Sequence, residues 1–414
     1  MNDSFKVGVS AGSFDSNINL GDETFYEEFY NDYVNFNQPD KIRTGFVTLS
    51  GEYNFTHDLK LNITANYLNK VNRSCYNEEY QELYSYKHKG VFEDNKYYVN
   101  TKLVWDVGFN SIVFGADYER DSLNRKISDK SYDEGYYQES TSEGDTSFPK
   151  SAAFINDTII MGNFSVTPGL RMDYNRHTDY FLSPSLGVTY KLKHNTLFRA
   201  FTARGFNEPV SGWVDMNGSW GFRVANPDLE PEEVWTYQLG FETAAFKYVW
   251  FKTTLFYNDI TNLFKSISED GYRMYVNDGS EVRKGIELEF KTIPVYDISL
   301  YTGFSYIKSE AKNKVGNEKT EICKIVGGVE YNLEKSLYLQ LFSDFVDYNY
   351  DENRDPQKYN PIWDLNIIKT FEIRKRYNTE LYFTGHNLFN GSQYSDGSSF
   401  NPDRWFEIGA RYKF

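Results

Sequence analysis

The feature that most constrains this sequence is a two-residue alternation of apolar and polar side chains that recurs along most of its length. Clear examples are the stretches Val47–Phe55, Leu59–Tyr67, Phe164–Asp173, Ile298–Tyr306 and Leu337–Phe345. Because successive side chains of a β-strand point to opposite faces, each stretch is predicted to be a strand with one apolar and one polar face. A soluble β-sandwich and a membrane β-barrel would both produce this pattern.

The lengths of the predicted connections distinguish these two folds, because short and long ones alternate along the chain. The short ones are predicted at Thr56–Asp58, Phe109–Asn110, Gly162–Asn163, Lys193–Asn195, Pro294–Tyr296, Leu333–Lys335 and Ile373–Arg376. The long ones are predicted at Asp15–Asp40, Arg73–Asn95, Lys126–Thr146, Gly205–Glu232, Lys265–Glu281, Lys312–Glu318, Asn349–Lys358 and Asn390–Pro402. Tight periplasmic turns and long extracellular loops are typical of outer-membrane barrels. We therefore predict an all-β fold, an antiparallel transmembrane β-barrel of roughly 18 strands, with residues 1–414 in a single domain.

Composition agrees with a barrel. Aromatic residues make up 18% of the chain, with 35 Tyr and 33 Phe, whereas the mean hydropathy is only −0.63. A soluble core does not require so many tyrosines, but aromatic girdles at two membrane interfaces do. The sequence has no run of about 18 apolar residues, so a membrane-spanning helix is excluded. The net charge of −15 argues against nucleic acid as a partner, since phosphates attract basic surfaces.

Several motifs in the second half of the chain resemble one family. RGFNEP closes a predicted strand at Arg204–Pro209, and NPDLEPEEVWTYQLGFE opens the next at Asn226–Glu242. They are followed by TTLFYNDITNLF (253–264), YVNDGSEVRKGIELEF (275–290), GHNLFN (385–390) and DRWFEIGARYKF (403–414). In these motifs the chain resembles the TonB-dependent outer-membrane receptors. The resemblance covers nearly the whole chain in pattern, and individual motifs from about Ser151 onward.

The resemblance implies ligand-gated active uptake, across the outer membrane of a Gram-negative bacterium, of a scarce nutrient such as a ferric siderophore, haem or cobalamin. Barrels of this kind close with about 22 strands around a plugged lumen, and a TonB-type protein energises them through a segment N-terminal to the barrel. We expect this chain to lack that segment, the plug and about four initial strands. The N-terminus, MNDSFKVGVSAGSFDS, has no basic region followed by an apolar one, so no signal peptide is predicted. We therefore expect a barrel fragment that is not competent alone; a passive porin or adhesin-like barrel is the alternative.

The long connection from Gly205 to Asp228 is the first candidate for binding a small-molecule ligand. It carries Trp213, Trp220, Phe222 and Arg223. Aromatic rings can stack on an organic ligand, and the guanidinium can pair with its anionic groups.

A second candidate is the acidic and aromatic stretch Asp22–Asn37. Phe25, Phe29, Tyr33 and Phe36 recur at helical spacing, which predicts a short amphipathic helix. Such a helix could act as a lid over the ligand, and its carboxylates could hold calcium. A loop packing on itself is the alternative.

Catalysis is not predicted. The five histidines are dispersed without metal-ligand spacing, and neither GxSxG nor a phosphate-binding loop occurs. We therefore expect no enzyme, no resident metal and no other cofactor. Cys75 and Cys323 are predicted to be unpaired thiols, with a bridge between them left open.

The C-terminal residue is the last predicted contact with a partner. Phe414 ends an apolar stripe that also contains Phe406, Ile408, Ala410 and Tyr412. This stripe resembles the terminal signal that the barrel-assembly machinery recognises.

Overall fold

The computed structural model describes residues 5–27, 32–80, 84–133, 136–177, 179–215, 223–269, 271–312, 317–333, 336–350, 360–374, 377–391 and 403–413. Nearly all of these residues are in β-strands. The first eleven strands are β1 Phe5–Glu27, β2 Asp32–Asn54, β3 Leu59–Tyr80, β4 Tyr84–Val107, β5 Asn110–Asp133, β6 Tyr136–Met161, β7 Phe164–Asn175, β8 Asp179–Leu192, β9 Thr196–Asn207, β10 Glu232–Phe246 and β11 Val249–Thr261. A short hairpin follows, β12 Phe264–Glu269 and β13 Tyr272–Asn277. The remaining strands are β14 Ser280–Thr292, β15 Ile298–Lys312, β16 Asn317–Leu333, β17 Leu337–Tyr350, β18 Ile362–Arg374, β19 Tyr377–His386 and β20 Trp405–Lys413. One helical turn, α1 Ser211–Val214, lies between β9 and β10.

Eighteen of these strands form one antiparallel sheet in which each strand pairs with the next along the chain. The β12–β13 hairpin is the exception: it stands outside this sheet, and β11 pairs directly with β14. The register keeps apolar stripes continuous, as where Leu61 lies opposite Tyr53 on one side and Leu103 on the other. The predicted 18-stranded antiparallel architecture is confirmed.

The two faces of the sheet differ in chemistry. The outward face carries exposed apolar side chains such as Leu49, Leu239 and Leu255, which suits contact with lipid. The inward face is joined by polar contacts: the Asn66 amide donates to Thr48 at 2.6 Å, and the Asn366 amide donates to Gln340 at 3.0 Å. Among the described residues, no helix is long and apolar enough to cross a membrane.

Tight turns occur on one side of the sheet where the sequence predicted short links. Gly108 and Gly162 adopt φ values of 62° and 61°, and His194 and Asn195 adopt 61° and 52°. Glycine and asparagine tolerate this left-handed region at little cost, which allows the sharp reversals. The short links that contain Gly162 and Asn195 are therefore confirmed.

Four of the predicted long loops are wrong: Lys265–Glu281 contains the β12–β13 hairpin, and three others are continued strands. Residues 15–27 and 32–40, 73–80 and 84–95, and 126–133 and 136–146 continue the strands of three hairpins. The strands of these hairpins are held together by contacts between residues on opposite strands, for example Lys130 with Glu139 at 3.0 Å. Above an apolar belt both faces of a hairpin can meet water or polar neighbours, so the apolar–polar alternation disappears although the ladder persists.

The amphipathic helix predicted within residues 22–37 is also wrong. Residues 22–27 and 32–37 are paired strands, with Asp22 opposite Asn37 and Phe25 opposite Val34. Phe29 lies outside the described residues, as do the side chains of this hairpin tip. Calcium binding by its carboxylates therefore stays a prediction.

A cysteine-labelling experiment tests the sidedness of the connections. With Cys75 and Cys323 replaced by serine, a cysteine at Asp228 should react with a membrane-impermeant maleimide on intact cells. A cysteine at Asn195, in a tight turn, should react only after the outer membrane is permeabilised. Labelling of both positions on intact cells would contradict the barrel topology.

Candidate functional site

The connection between β9 and β10 folds back on itself instead of extending away from the sheet. The Asn226 amide donates to the Trp213 carbonyl at 2.8 Å, and the Trp213 amide donates to the Val210 carbonyl at 2.8 Å. Val214 and Leu229 are each only 1% exposed. This connection, residues 208–231, is called the mouth loop below, and its two buried apolar side chains give it a small core.

The β12–β13 hairpin packs against the mouth loop. The Trp213 ring stacks on Tyr275, with centroids 3.8 Å apart and ring planes at 10°, and meets Phe264 edge-on at 5.7 Å. The Val224 amide donates to the Arg273 carbonyl at 2.9 Å. Tyr275 therefore covers one face of Trp213, and the indole helps to hold the loop in place.

Asn277, the last residue of β13, makes three hydrogen bonds to neighbouring backbone. Its amide donates to the carbonyls of Glu230 at 2.8 Å and Asn262 at 2.9 Å, and its carbonyl oxygen accepts from the Glu230 amide at 2.8 Å. One side chain thus joins the end of the mouth loop, the end of β11 and the hairpin.

On its other side, the mouth loop contacts the wall of the sheet at β6 and β7. The Asp215 carboxylate accepts from Thr146 at 2.7 Å and from Arg176 at 3.0 Å. Burial lowers the pKa of His177, which stacks on Phe148 at 4.5 Å. His177 is therefore neutral at pH 7, and Arg176 is the cation that pairs with Asp215.

Two arginines lie in the same region, one on the wall and one in the loop. Arg125 is on β5 beside Gly144 of β6, is 4% exposed, and donates to Ser142 at 3.3 Å. Arg223 of the mouth loop has a buried Nε with no hydrogen-bond partner among the described residues. Arg125 lies in the part of β5 beyond the outward apolar belt; burial and the nearby Arg223 guanidinium together lower its pKa.

Further along the inner wall, the charged side chains are paired. Arg171 contacts Asp117 at 2.6 Å and Asp173 at 2.8 Å, and Lys150 pairs with Glu208. These groups line a cavity of about 260 Å³. The lining of this cavity holds four carboxylates and two cations, and both cations are paired within the wall.

The comparison with protein families identifies the chain. The family model for the TonB dependent receptor-like β-barrel matches residues 2–388. The protein belongs to this family of TonB-dependent receptors. It is accordingly an outer-membrane barrel of a Gram-negative bacterium, and its function is transport across that membrane; the family consists of transport receptors, not enzymes.

Solved structures share the fold with this receptor barrel at low sequence identity. The siderophore receptor PirA from Pseudomonas aeruginosa is 16% identical, with a TM-score of 0.62 over 99% of this chain and 78% of that chain. The RagAB peptide transporter is 10% identical, with a TM-score of 0.70 over 99% and 70%. The copper transporter OprC is 12% identical, with a TM-score of 0.65 over 99% and 80%. No curated protein sequence matches significantly.

The structure describes two of the four predicted site residues of this receptor. Trp213 and Arg223 are both in the mouth loop, whereas Trp220 and Phe222 lie outside the described residues, as does Phe414. Arg125 was missed by sequence reasoning, and only its position on the inward face of a strand could have suggested it. Cys75 and Cys323 are free thiols. Within the described part of the chain, no group of three or more His, Cys, Asp or Glu residues could hold a metal.

Proposed function

We propose that this receptor captures a scarce small-molecule nutrient, such as a ferric siderophore, haem or cobalamin, at the mouth loop and imports it by energised transport. The observation that carries the proposal is the fixed position of this loop. On one side the loop is held by the Trp213–Tyr275 stack, and on the other by the hydrogen bond between its Asp215 and Thr146 of the wall. A ligand site needs such rigid support, and the loop supplies aromatic and cationic groups for an organic ligand.

The nutrient itself remains a proposal, because the fold accommodates different cargoes. The similar structures include a siderophore receptor, a peptide transporter and a copper transporter. The siderophore, haem or cobalamin class is what the family resemblance implies, and Trp213, Trp220, Phe222 and Arg223 are the proposed contacts.

We also propose that the working barrel contains about four further strands and a plug, preceding this chain. Among the described residues no pairing joins β1 to β20, and the similar structures are longer than this chain. β1 begins on the side of the tight turns and runs away from it, whereas β20 runs back towards it. Additional strands that close the barrel between β20 and β1 must therefore be even in number if every neighbouring pair is to be antiparallel. A TonB-type protein would energise the plug through the N-terminal segment, and Phe414 would be read by the barrel-assembly machinery.

An uptake assay tests the proposed function. In the native host, deletion of the gene should abolish uptake of one labelled ferric siderophore, haem or cobalamin, and a protonophore should have the same effect. Trp213→Ala removes the stack on Tyr275, worth about 0.5–1.5 kcal/mol beyond the buried area, and should weaken binding about tenfold or more. Trp235→Ala, on the outward face of β10, is the matched control after correction for receptor amount. Uptake that resists the protonophore would instead indicate a passive porin.

A further inference from the structure

We propose that this receptor holds one phosphate-bearing lipid of the outer leaflet in an apolar groove on the outward face of its sheet. In a Gram-negative outer membrane, that lipid is lipid A, the acylated and phosphorylated anchor of lipopolysaccharide. One acyl chain would lie in the groove and one phosphate against Lys284. The inference concerns a surface that nutrient uptake at the mouth loop does not use, so it does not depend on the proposed function.

The groove is centred on two small side chains of β9, Ala200 and Thr202. It extends over β8 to β11 and has a volume of about 480 Å³, within the range of about 300–1,000 Å³ that is typical of ligand sites. Residues opposite each other in an antiparallel ladder point to the same face, so larger side chains flank the two small ones. The flanking residues are Leu186 and Tyr237 beside Thr202, and Val188 and Leu239 beside Ala200. This depression is called the β9 groove below.

The β9 groove faces the membrane. Its lining residues Leu186, Leu239 and Leu255 are 42%, 60% and 49% exposed, and they belong to the outward apolar face that suits contact with lipid. Toward the tight turns, the next outward side chains are Phe198 and Phe241, whose ring centroids are 5.0 Å apart. These two bulky rings end the groove on that side, so its open end points toward the mouth of the barrel.

The open end of the β9 groove lies near the extracellular boundary of the membrane. β11 begins at Val249, directly after a tight turn, and the lining residue Tyr257 comes eight residues later. Eight residues span about 26 Å along a strand, or about 20 Å along the axis of a barrel whose strands tilt by about 40°. The apolar band of such barrels is about 25 Å tall. Tyr257 and its partner Tyr237 are therefore placed where an interfacial aromatic girdle belongs, and the groove occupies the outer-leaflet half.

A cation stands beside this open end. Lys284 is opposite Tyr257 in the β11–β14 ladder, which places it on the same face at the same height, and its side chain is exposed. Lys308, its neighbour on β15, pairs with Glu321 at 3.2 Å. Among the described residues, no carboxylate lies at ion-pair distance from Lys284. A lysine ammonium at headgroup level attracts anionic lipids.

The groove and the cation together select the lipid. Inside a bilayer the hydrophobic effect does not favour the groove over the surrounding tails, because those tails are equally apolar. An empty groove, however, leaves its lining atoms without contacts on one side, and an acyl chain that enters from the headgroup level restores them. The phosphate of the same lipid then lies within reach of Lys284, which favours an anionic headgroup over a neutral one.

Native mass spectrometry of the receptor extracted from outer membranes in mild detergent tests the proposal. Wild-type protein should retain one lipid A molecule and should rebind added lipid A after delipidation. Ala200→Leu fills the β9 groove and should weaken rebinding about tenfold or more, because overpacking a filled site forces its neighbours apart. Lys284→Gln removes the charge contact and should weaken rebinding about fivefold.

Two matched variants provide the controls. Ala65→Leu makes the same enlargement on the outward face of β3, opposite Leu49. Lys369→Gln makes the same charge change on β18 near the tight turns, where the ammonium lies 5.9 Å from the Phe371 ring centroid. Neither should change lipid A binding. Equal weakening by the controls, recovery of phosphatidylglycerol in place of lipid A, or a bound partner protein that Ala200→Leu displaces would each overturn the proposal.

Discussion

Replacing Asn277 with alanine is expected to abolish ligand capture at the mouth while leaving the 18-stranded sheet folded. The variant loses the three hydrogen bonds that join the mouth loop, the end of β11 and the hairpin. At about 1 kcal/mol each, their loss costs about 3 kcal/mol, or roughly a hundredfold in the population of the docked loop. Trp213 and Arg223 would then no longer be held in a fixed geometry.

Limited proteolysis and ligand binding measure this effect. Asn277→Ala should be cleaved within the mouth loop under conditions that leave wild-type protein intact, and its ligand affinity should fall in parallel. Asn258→Ala is the matched control, because Asn258 accepts a hydrogen bond from Thr236 within the β10–β11 ladder. Equal protection of Asn277→Ala and wild type would show that the Trp213–Tyr275 stack alone suffices to hold the loop.

The membrane-facing part of the fold could be predicted from sequence because one physical constraint acts on every residue there. One face of each strand meets lipid and the other meets a polar interior, so side-chain polarity alternates, as in Leu59–Tyr67. Beyond the membrane this constraint ends. The extensions of β3 to β6 carry Ser, Tyr, Lys and Glu on both faces, and their pairing depends on contacts between strands that no local pattern shows.

The sequence contains a local signal for the β12–β13 hairpin. Asp270–Gly271 lies between two short runs, and an Asp-Gly pair favours the tight turn of a hairpin. Gly271 adopts a φ of 81°, as such a turn requires. The prediction of one loop over Lys265–Glu281 therefore missed the hairpin whose Tyr275 stacks on the Trp213 ring.

The candidate site could be predicted only in part, because its geometry depends on distant contacts. Trp213 and Arg223 were recognised by residue type and by their place in a long connection. Arg125 is nearly a hundred residues earlier in the chain than Arg223, and it is only 4% exposed. No pattern around Arg125 distinguishes it from an exposed lysine such as Lys126 on the same strand.

Residues 1–414 alone, expressed with an added signal peptide in a receptor-null strain, are expected to give no energised uptake of ferric siderophore, haem or cobalamin. On the proposal that further strands and a plug complete the barrel, β1 and β20 would leave unpaired backbone groups facing lipid, each costing several kcal/mol. The side chains at these edges, Val9 and Ile408, are 70% and 86% exposed. A wall with an open seam cannot hold a site to the roughly 0.5 Å that binding requires, and without a plug no force can gate the lumen.

Uptake in the presence and absence of a protonophore measures this, with the intact parent receptor as the positive control and surface labelling at Asp228 as the check on insertion. Passive uptake that is unchanged by the protonophore would agree with the proposal. Uptake by residues 1–414 that stops when the proton-motive force is removed would mean that this sheet closes and transports without the additional strands and plug.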